Sequence, residues 1–240
     1  MVPLSRRPHE RTNAVDRPRS ITTALLTALL TALIAVVAIA PSAVASPART
    51  PFSASPAAPT EQVDQVPCEP HIGANATYHA HGAEFRTDAQ GRPETAEATN
   101  LTRSEADRGP CQTKVGHMAP TAGYDGGHLI AATLHGVDQR YDLVPQWASV
   151  NRGLYQQMEA GAKKCLTAPG GKILRYSIQV TYPDATTVVP DRFLADVTVD
   201  TDGHPQQRLD LTFPNRRLDP AESQAIKTEL NAGLRAAGCT

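Results

Sequence analysis

His128 follows Asp125, Gly126 and Gly127, and an apolar run, Leu129-Ile130-Ala131-Ala132, follows it. A histidine needed only for packing has no use for two glycines. One that must approach a ligand does, because glycine lets backbones come close. Read alone, Asp-Gly-Gly is a flexible turn ahead of a buried strand or helix. Downstream, a short strand carries Asp142 and Gln146, Asn151 opens a helix, and Glu159 follows eight residues later. Eight residues are roughly two helical turns, so Glu159 lies near the face of Asn151. Imidazole, amide and carboxylate are hard nitrogen and oxygen groups. They suit a general base beside a Mg²⁺ ion that keeps most of its waters and takes few protein ligands. Each also has a plainer reading. A histidine beside the core is ordinarily a satisfied polar group, and an asparagine at a helix start is ordinarily a cap. Residue types alone leave both open.

Other chemistries lack their motifs. There is no G-x-S-x-G elbow, and "APGGK" (168–172) lacks the length and the Lys-Ser/Thr ending of a phosphate-binding loop, so it reads as a turn. His79 and His81 alternate on one predicted strand face and form a conceivable metal pair with no evident third ligand. His117 lacks an apolar run after it and reads as a bystander.

The elements that must position these groups are an α+β set in one domain. Residues 77–101 read as strand, turn, strand, with Asp88 to Gly91 as the turn. "YDLVPQ" (141–146) reads as a buried strand ending at Pro145. Residues 149–166 read as a helix with Leu154, Met158 and Cys165 on its buried stripe. Residues 170–183 and 191–215 read as strands of an antiparallel sheet. A C-terminal helix begins at Pro220 after the Asp219 cap and stops at Gly238, with Ile226, Leu230 and Leu234 along one face.

The front of the 240-residue chain is not fold. Residues 1–20 carry five arginines, residues 21–40 are apolar, and Ala43 and Ala45 stand at A-x-A spacing. Residues 1–45 are therefore expected to be a signal peptide cleaved before Ser46, with an uncleaved anchor as the alternative. Residues 46–66, rich in Pro, Ala and Ser, read as a linker, and residues 67–240 as the domain. Cys68, Cys111, Cys165 and Cys239 all follow the leader. An even number in an exported chain points to two disulfides. Cys68–Cys111 with Cys165–Cys239 is the preferred pairing, because each closes a contiguous half. Without the leader, 18 basic and 22 acidic side chains remain. A strongly basic surface is excluded, so contact with nucleic acid must use a local patch. Arg152, Lys163, Lys164, Lys172 and Arg175 are one candidate.

Three stretches carry a resemblance. "YDGGHLIAATLHG…YDLVPQWASVNRGLYQQME" resembles the signature of the DNA/RNA non-specific endonucleases of the ββα-metal fold, in their bacterial secreted branch. That signature runs D-R-G-H, N-x-x-P-Q, then L-N-x-G with a Glu eight residues after the Asn. Asp125, Gly127 and His128 match the first part, Pro145 and Gln146 the second, and Asn151, Gly153 and Glu159 the third. The likeness spans roughly residues 77–215. It implies an antiparallel sheet core with a ββα-metal motif and a C-terminal helix. It also implies His128 as general base, Asn151 as the direct ligand of one Mg²⁺ or Mn²⁺, and Glu159 ordering the waters of that metal. Asp125, Asp142 and Gln146 would lie behind these groups or beside the substrate. Arg108, in "RGPCQ", stands where bacterial members carry R-x-x-x-Q and is assigned to the scissile phosphate. Two positions depart. Gly126 stands in place of Arg, and Asp142 in place of Asn, where its carboxylate would either bind metal or repel phosphate.

The expected function is that of a secreted, sugar-non-specific nuclease that leaves 5′-phosphate and 3′-hydroxyl ends on DNA and RNA and has no stable membrane association after cleavage. An interbacterial toxin with an immunity protein is one alternative. A nuclease-like domain that binds nucleic acid without cutting is the other, kept by Gly126 and Asp142.

Overall fold

The computed structural model describes residues 62–106 and 108–239; the expected leader and most of the linker lie outside them. Strand β1 (Thr77–Ala80), β2 (Ala83–Thr87) and β3 (Pro93–Ala98) form a meander, and helix α1 (Pro110–Gly116) follows. Strands β4 (Tyr124–His128) and β5 (Leu143–Trp147) make a separate two-stranded ribbon. A helix then runs through α2 (Ala148–Val150), a π-helical turn (Asn151–Tyr155) and α3 (Gln156–Cys165). Strands β6 (Lys172–Thr181), β7 (Arg192–Asp200) and β8 (Gln207–Pro214) precede α4 (Pro220–Ala236). The main sheet is antiparallel, in the order β1-β2-β3-β6-β7-β8.

Alternation decides the faces of that sheet. Phe85, Tyr176, Ile178, Phe193, Val197, Leu211 and Phe213 point inward and are buried. The outer face carries a cross-strand ladder of charges, Glu97–Arg175–Asp196–Arg208–Asp210. Tyr155 packs edge-on against Phe193 and Phe213, with ring centroids 5.6 and 5.3 Å away, and so seats the π turn on the sheet. Helix α4 has the expected Asp219 cap, reinforced by Glu222 in a reciprocal capping box. Disulfides join Cys68 to Cys111 and Cys165 to Cys239. Among the described residues, no helix is long and apolar enough to cross a membrane.

Three local expectations change. Asp125, Gly126 and Gly127 lie within β4 rather than in a turn. Pro145 sits inside β5 instead of ending it. Its missing N–H is tolerated because β5 pairs on one edge only, with β4. His81 is not in a strand. It forms the two-residue turn between β1 and β2 with Gly82, both at positive φ, so it shares no strand face with His79.

Candidate active site

The β4–β5 ribbon and the helix after it form a ββα unit. Its mouth is a cleft of about 430 Å³, lined among others by Arg108, His117, Asp125, His128, Asn151 and Glu159. The glycines of β4 make that unit compact. A Cβ on Gly126 would collide with the carbonyl of Gln112 in α1, and one on Gly127 with the amide oxygen of Gln146 in β5. Gln112 donates Nε2 to the Gly126 carbonyl at 3.0 Å. The value of glycine here is close approach on both faces of a strand, not a turn.

His128 closes β4 and is 7% exposed. Its Nε2 is buried with no hydrogen-bond partner. Burial, reinforced by the charge of Arg108 and opposed by Asp138, pushes the imidazole down to about 4, so it is neutral near pH 7. Leu129, Ile130 and Ala131 behind it are buried, and Tyr155 donates its hydroxyl to the Leu129 carbonyl at 2.9 Å.

Asn151 begins the π turn. Its Nδ2 donates to Asp125 Oδ2 at 3.1 Å, and Arg152 clamps the same carboxylate through Nε at 2.7 Å and Nη2 at 2.5 Å. Burial works to raise the Asp125 carboxyl, but the Arg152 and Asn151 bonds outweigh it and hold the group below its usual range. The π turn also sets phase. On an ideal α-helix the eighth residue onward lies about 80° round. A π turn holds one extra residue, which takes back about 100° and brings Glu159 into line with Asn151. Burial raises the Glu159 carboxyl to about 7, against the pull of Lys163 and Arg108.

Asp142 and Gln146 are fully buried and do not line the cleft. The Asp142 carboxylate accepts from the amides of Ile130 and Val137, each at 2.8 Å. With both oxygens so engaged, it neither reaches a metal nor meets a phosphate. It braces the loop behind His128. Burial raises this carboxyl while the two amides favour its charged form. Gln146 packs under Gly127, and its amide atoms are buried without partners.

The candidate basic cluster splits. Arg152 and Lys163 line the cleft, whereas Arg175 belongs to the outer charge ladder. His117, read as a bystander, ends α1 and lines the cleft wall. Asn215 carries no signal of its role in the sequence. Its Oδ1 accepts from Trp147 N at 2.6 Å, and its Nδ2 donates to the carbonyls of Pro145 and Pro190, which ties β5 to the end of β8. Nothing local marks a residue that acts 70 positions away.

Residues 74–200 match the model of the DNA/RNA non-specific endonuclease family. No match was found among curated proteins. Among solved structures, the chain is similar to NucA from Streptococcus agalactiae with a magnesium ion bound, at 20% identity and a TM-score of 0.46, over 61% of this chain and 75% of that one. It is also similar to a chain of the EndoG/EndoGI complex, at 13% identity and a TM-score of 0.45, over 65% of this chain and 85% of that one. The family match covers more than half of the sequence and takes in His128, Asn151 and Glu159 together, so the chain belongs to the DNA/RNA non-specific endonuclease family.

Proposed function

We propose that this endonuclease is exported and depends on a divalent cation, and that it hydrolyses DNA and RNA by attack of water on the phosphodiester. The observation that carries the reading is the pairing of a neutral, recessed His128 with an Asn151 whose amide is oriented by Asp125 in one cleft.

His128 lines the cleft and its Nε2 is buried without a partner, so Nδ1 is the nitrogen assigned to take the proton. As His128 accepts that proton from water, the water oxygen bonds to phosphorus and the bond to the 3′-oxygen breaks, the departing oxyanion taking a proton from solvent water to become the 3′-hydroxyl. Arg108 holds the non-bridging oxygens of the scissile phosphate. A backbone-directed reaction of this kind makes few base or sugar contacts, which suits action on both nucleic acids.

The donor set fits a hard cation. Asn151 Nδ2 is engaged by Asp125, which leaves Oδ1 as a ligand atom. Among the described residues no group of three or more His, Cys, Asp or Glu side chains is placed to hold a metal. Few protein ligands is the pattern of Mg²⁺, which retains waters, and Mn²⁺ takes the same ligands. Asn151 would hold the ion and Glu159 would orient the waters around it. When bound, the ion supplies charge stabilisation to the phosphate and the leaving oxygen. The two disulfides support export, since such bonds persist in oxidising compartments.

The test is digestion of plasmid DNA and of RNA by purified mature protein. Cleavage of both with Mg²⁺, and neither with EDTA, is the expected result. Binding without cleavage would instead establish a nuclease-like binding domain.

A further inference from the structure

The cleft joins two stretches that the sequence keeps apart, the loop after His128 and the start of α1. Asp138 connects them. Its carboxylate accepts from the amide of Cys111 at 3.1 Å and from that of Gln112 at 2.8 Å, two N–H groups that a helix start leaves without internal partners. Gly109 makes the room, because a Cβ there would collide with the Asp138 carboxylate. The neighbouring Val137 amide is itself held by Asp142, so the connection runs into the braced loop behind His128. Arg108 directly precedes Gly109, and its charge reaches both His128 and Glu159. Among the described residues the Arg108 side chain makes no hydrogen bond or ion pair, so its backbone anchor sets where it can reach.

We propose that Asp138 is a positioning residue for Arg108: by holding the start of α1 against the loop that follows His128, it fixes the guanidinium over the phosphate that His128 serves. The proposal rests on the nuclease reading above and adds a residue that does not itself line the cleft. It also gives Gly109 a role, as the position where any side chain would displace the clamp.

The test is a double-mutant cycle on plasmid cleavage by the mature enzyme, with kcat, KM and melting temperature read for each variant. Arg108→Ala is expected to lower kcat on the order of 10²-fold, as loss of a positioned charge donor does. Asp138→Ala is expected to lower kcat about 10-fold at little change in KM, and to add nothing in the Arg108→Ala background, since residues acting through one another are not additive. Gly109→Ala should reproduce Asp138→Ala, and Asp138→Asn, which keeps an acceptor oxygen, should recover part of the rate. A role confined to helix stability would lower the melting temperature and leave the two substitutions additive in kcat, and that result overturns the proposal. So does an unchanged kcat in Arg108→Ala. A wild-type protein that cuts neither DNA nor RNA is a separate failure, of the nuclease reading itself.

Discussion

Asn151 donates Nδ2 to Asp125 Oδ2 at 3.1 Å, and this bond turns the NH₂ end of the amide to Asp125 and leaves Oδ1 as its acceptor atom. Arg152 holds Asp125 in place from the other side through a bidentate pair. The three residues act as one clamp on a single oxygen, Asn151 Oδ1. Removing the middle residue frees the amide to turn its NH₂ toward a cation. Asp125→Ala is therefore expected to lower activity 10- to 100-fold and to raise the Mg²⁺ concentration needed for half-maximal rate, the usual consequence of losing a partner behind a ligand. Titration of activity against Mg²⁺ checks this. An unchanged midpoint would mean that Asp125 does not orient the ligand.

His128→Ala separates chemistry from packing. If His128 is the base, cleavage falls on the order of 10²–10⁴-fold. The side chain lines the cleft, while Leu129 and Ile130 behind it belong to the core, so the fold is expected to survive with a small loss of melting temperature. Asn151→Ala should lower activity similarly and weaken the response to metal, while a folded His128→Ala protein that cuts at the normal rate would end the proposed mechanism.

The sequence made local order legible wherever one element answered to one pattern. Alternating β6, β7 and β8, the capped α4 and the spacing of His128, Asn151 and Glu159 all carry their own signals. What it hid were relationships across the chain. The Asp125-Gly126-Gly127 stretch looks like a turn until α1 and Gln146 are seen pressed against its two faces. Asp142 leaves open a carboxylate that binds metal or one that repels phosphate until the amides of Ile130 and Val137 are found on its two oxygens. The π turn that aligns Asn151 with Glu159 leaves no mark in apolar spacing, because Leu154 and Met158 remain buried either way.

Glu159 links function to pH. Its carboxyl, raised by burial from 4.5 to about 7, binds a proton more tightly in the folded than in the unfolded chain. Folded protein thus loses stability as pH rises through that window, and the loss is complete above about 7. Glu159→Gln removes this penalty. In EDTA, the variant is expected to melt above the wild type at pH 8 by roughly 6–12 °C, the shift about 3 kcal/mol gives a domain of this size, and no higher at pH 4. The same substitution should lower cleavage 10- to 100-fold, as loss of a carboxylate behind a metal ligand does. Melting curves at the two pH values check the sign, and a gain confined to pH 4 would contradict the cause given for the shift.

The two disulfides are expected to differ in what they protect. Cys165–Cys239 is buried and joins α3 to the end of the chain after α4. Cys68–Cys111 anchors α1, the cleft wall beside Arg108. In the chain-entropy model each contributes up to about 4 kcal/mol. Cys68→Ser/Cys111→Ser should therefore lose activity at temperatures where it remains folded, whereas Cys165→Ser/Cys239→Ser should lose melting temperature and keep its rate per folded molecule. Equal rates in both folded variants would show that α1 needs no covalent anchor.

Gly126 yields the least intuitive expectation. The family signature has arginine there, and restoring a cation beside the phosphate would ordinarily be expected to speed cleavage. In this fold the space for any side chain at position 126 is taken. A Cβ would run into the Gln112 carbonyl, backbone of α1 that cannot swing aside as a flexible side chain would. On the helix side of the same contact, Gly116 comes so close that its own Cβ would stand 2.9 Å from the Gly126 amide nitrogen. Two glycines face each other, α1 lies flush on β4, and Arg108 at the head of that helix is the cation proposed for the phosphate. Gly126→Arg must push α1 off the ribbon, breaking the Gln112–Gly126 bond at 3.0 Å and displacing Arg108. It is expected to slow cleavage at least 10-fold and to destabilise the fold by about 1–3 kcal/mol, the usual cost of overpacking. Gly126→Ala separates crowding from charge, since it introduces the Cβ alone and should account for most of both losses. Rates and melting temperatures of the two variants decide the matter. A Gly126→Arg enzyme that is folded and faster than the wild type would show that α1 is no substitute for the missing arginine.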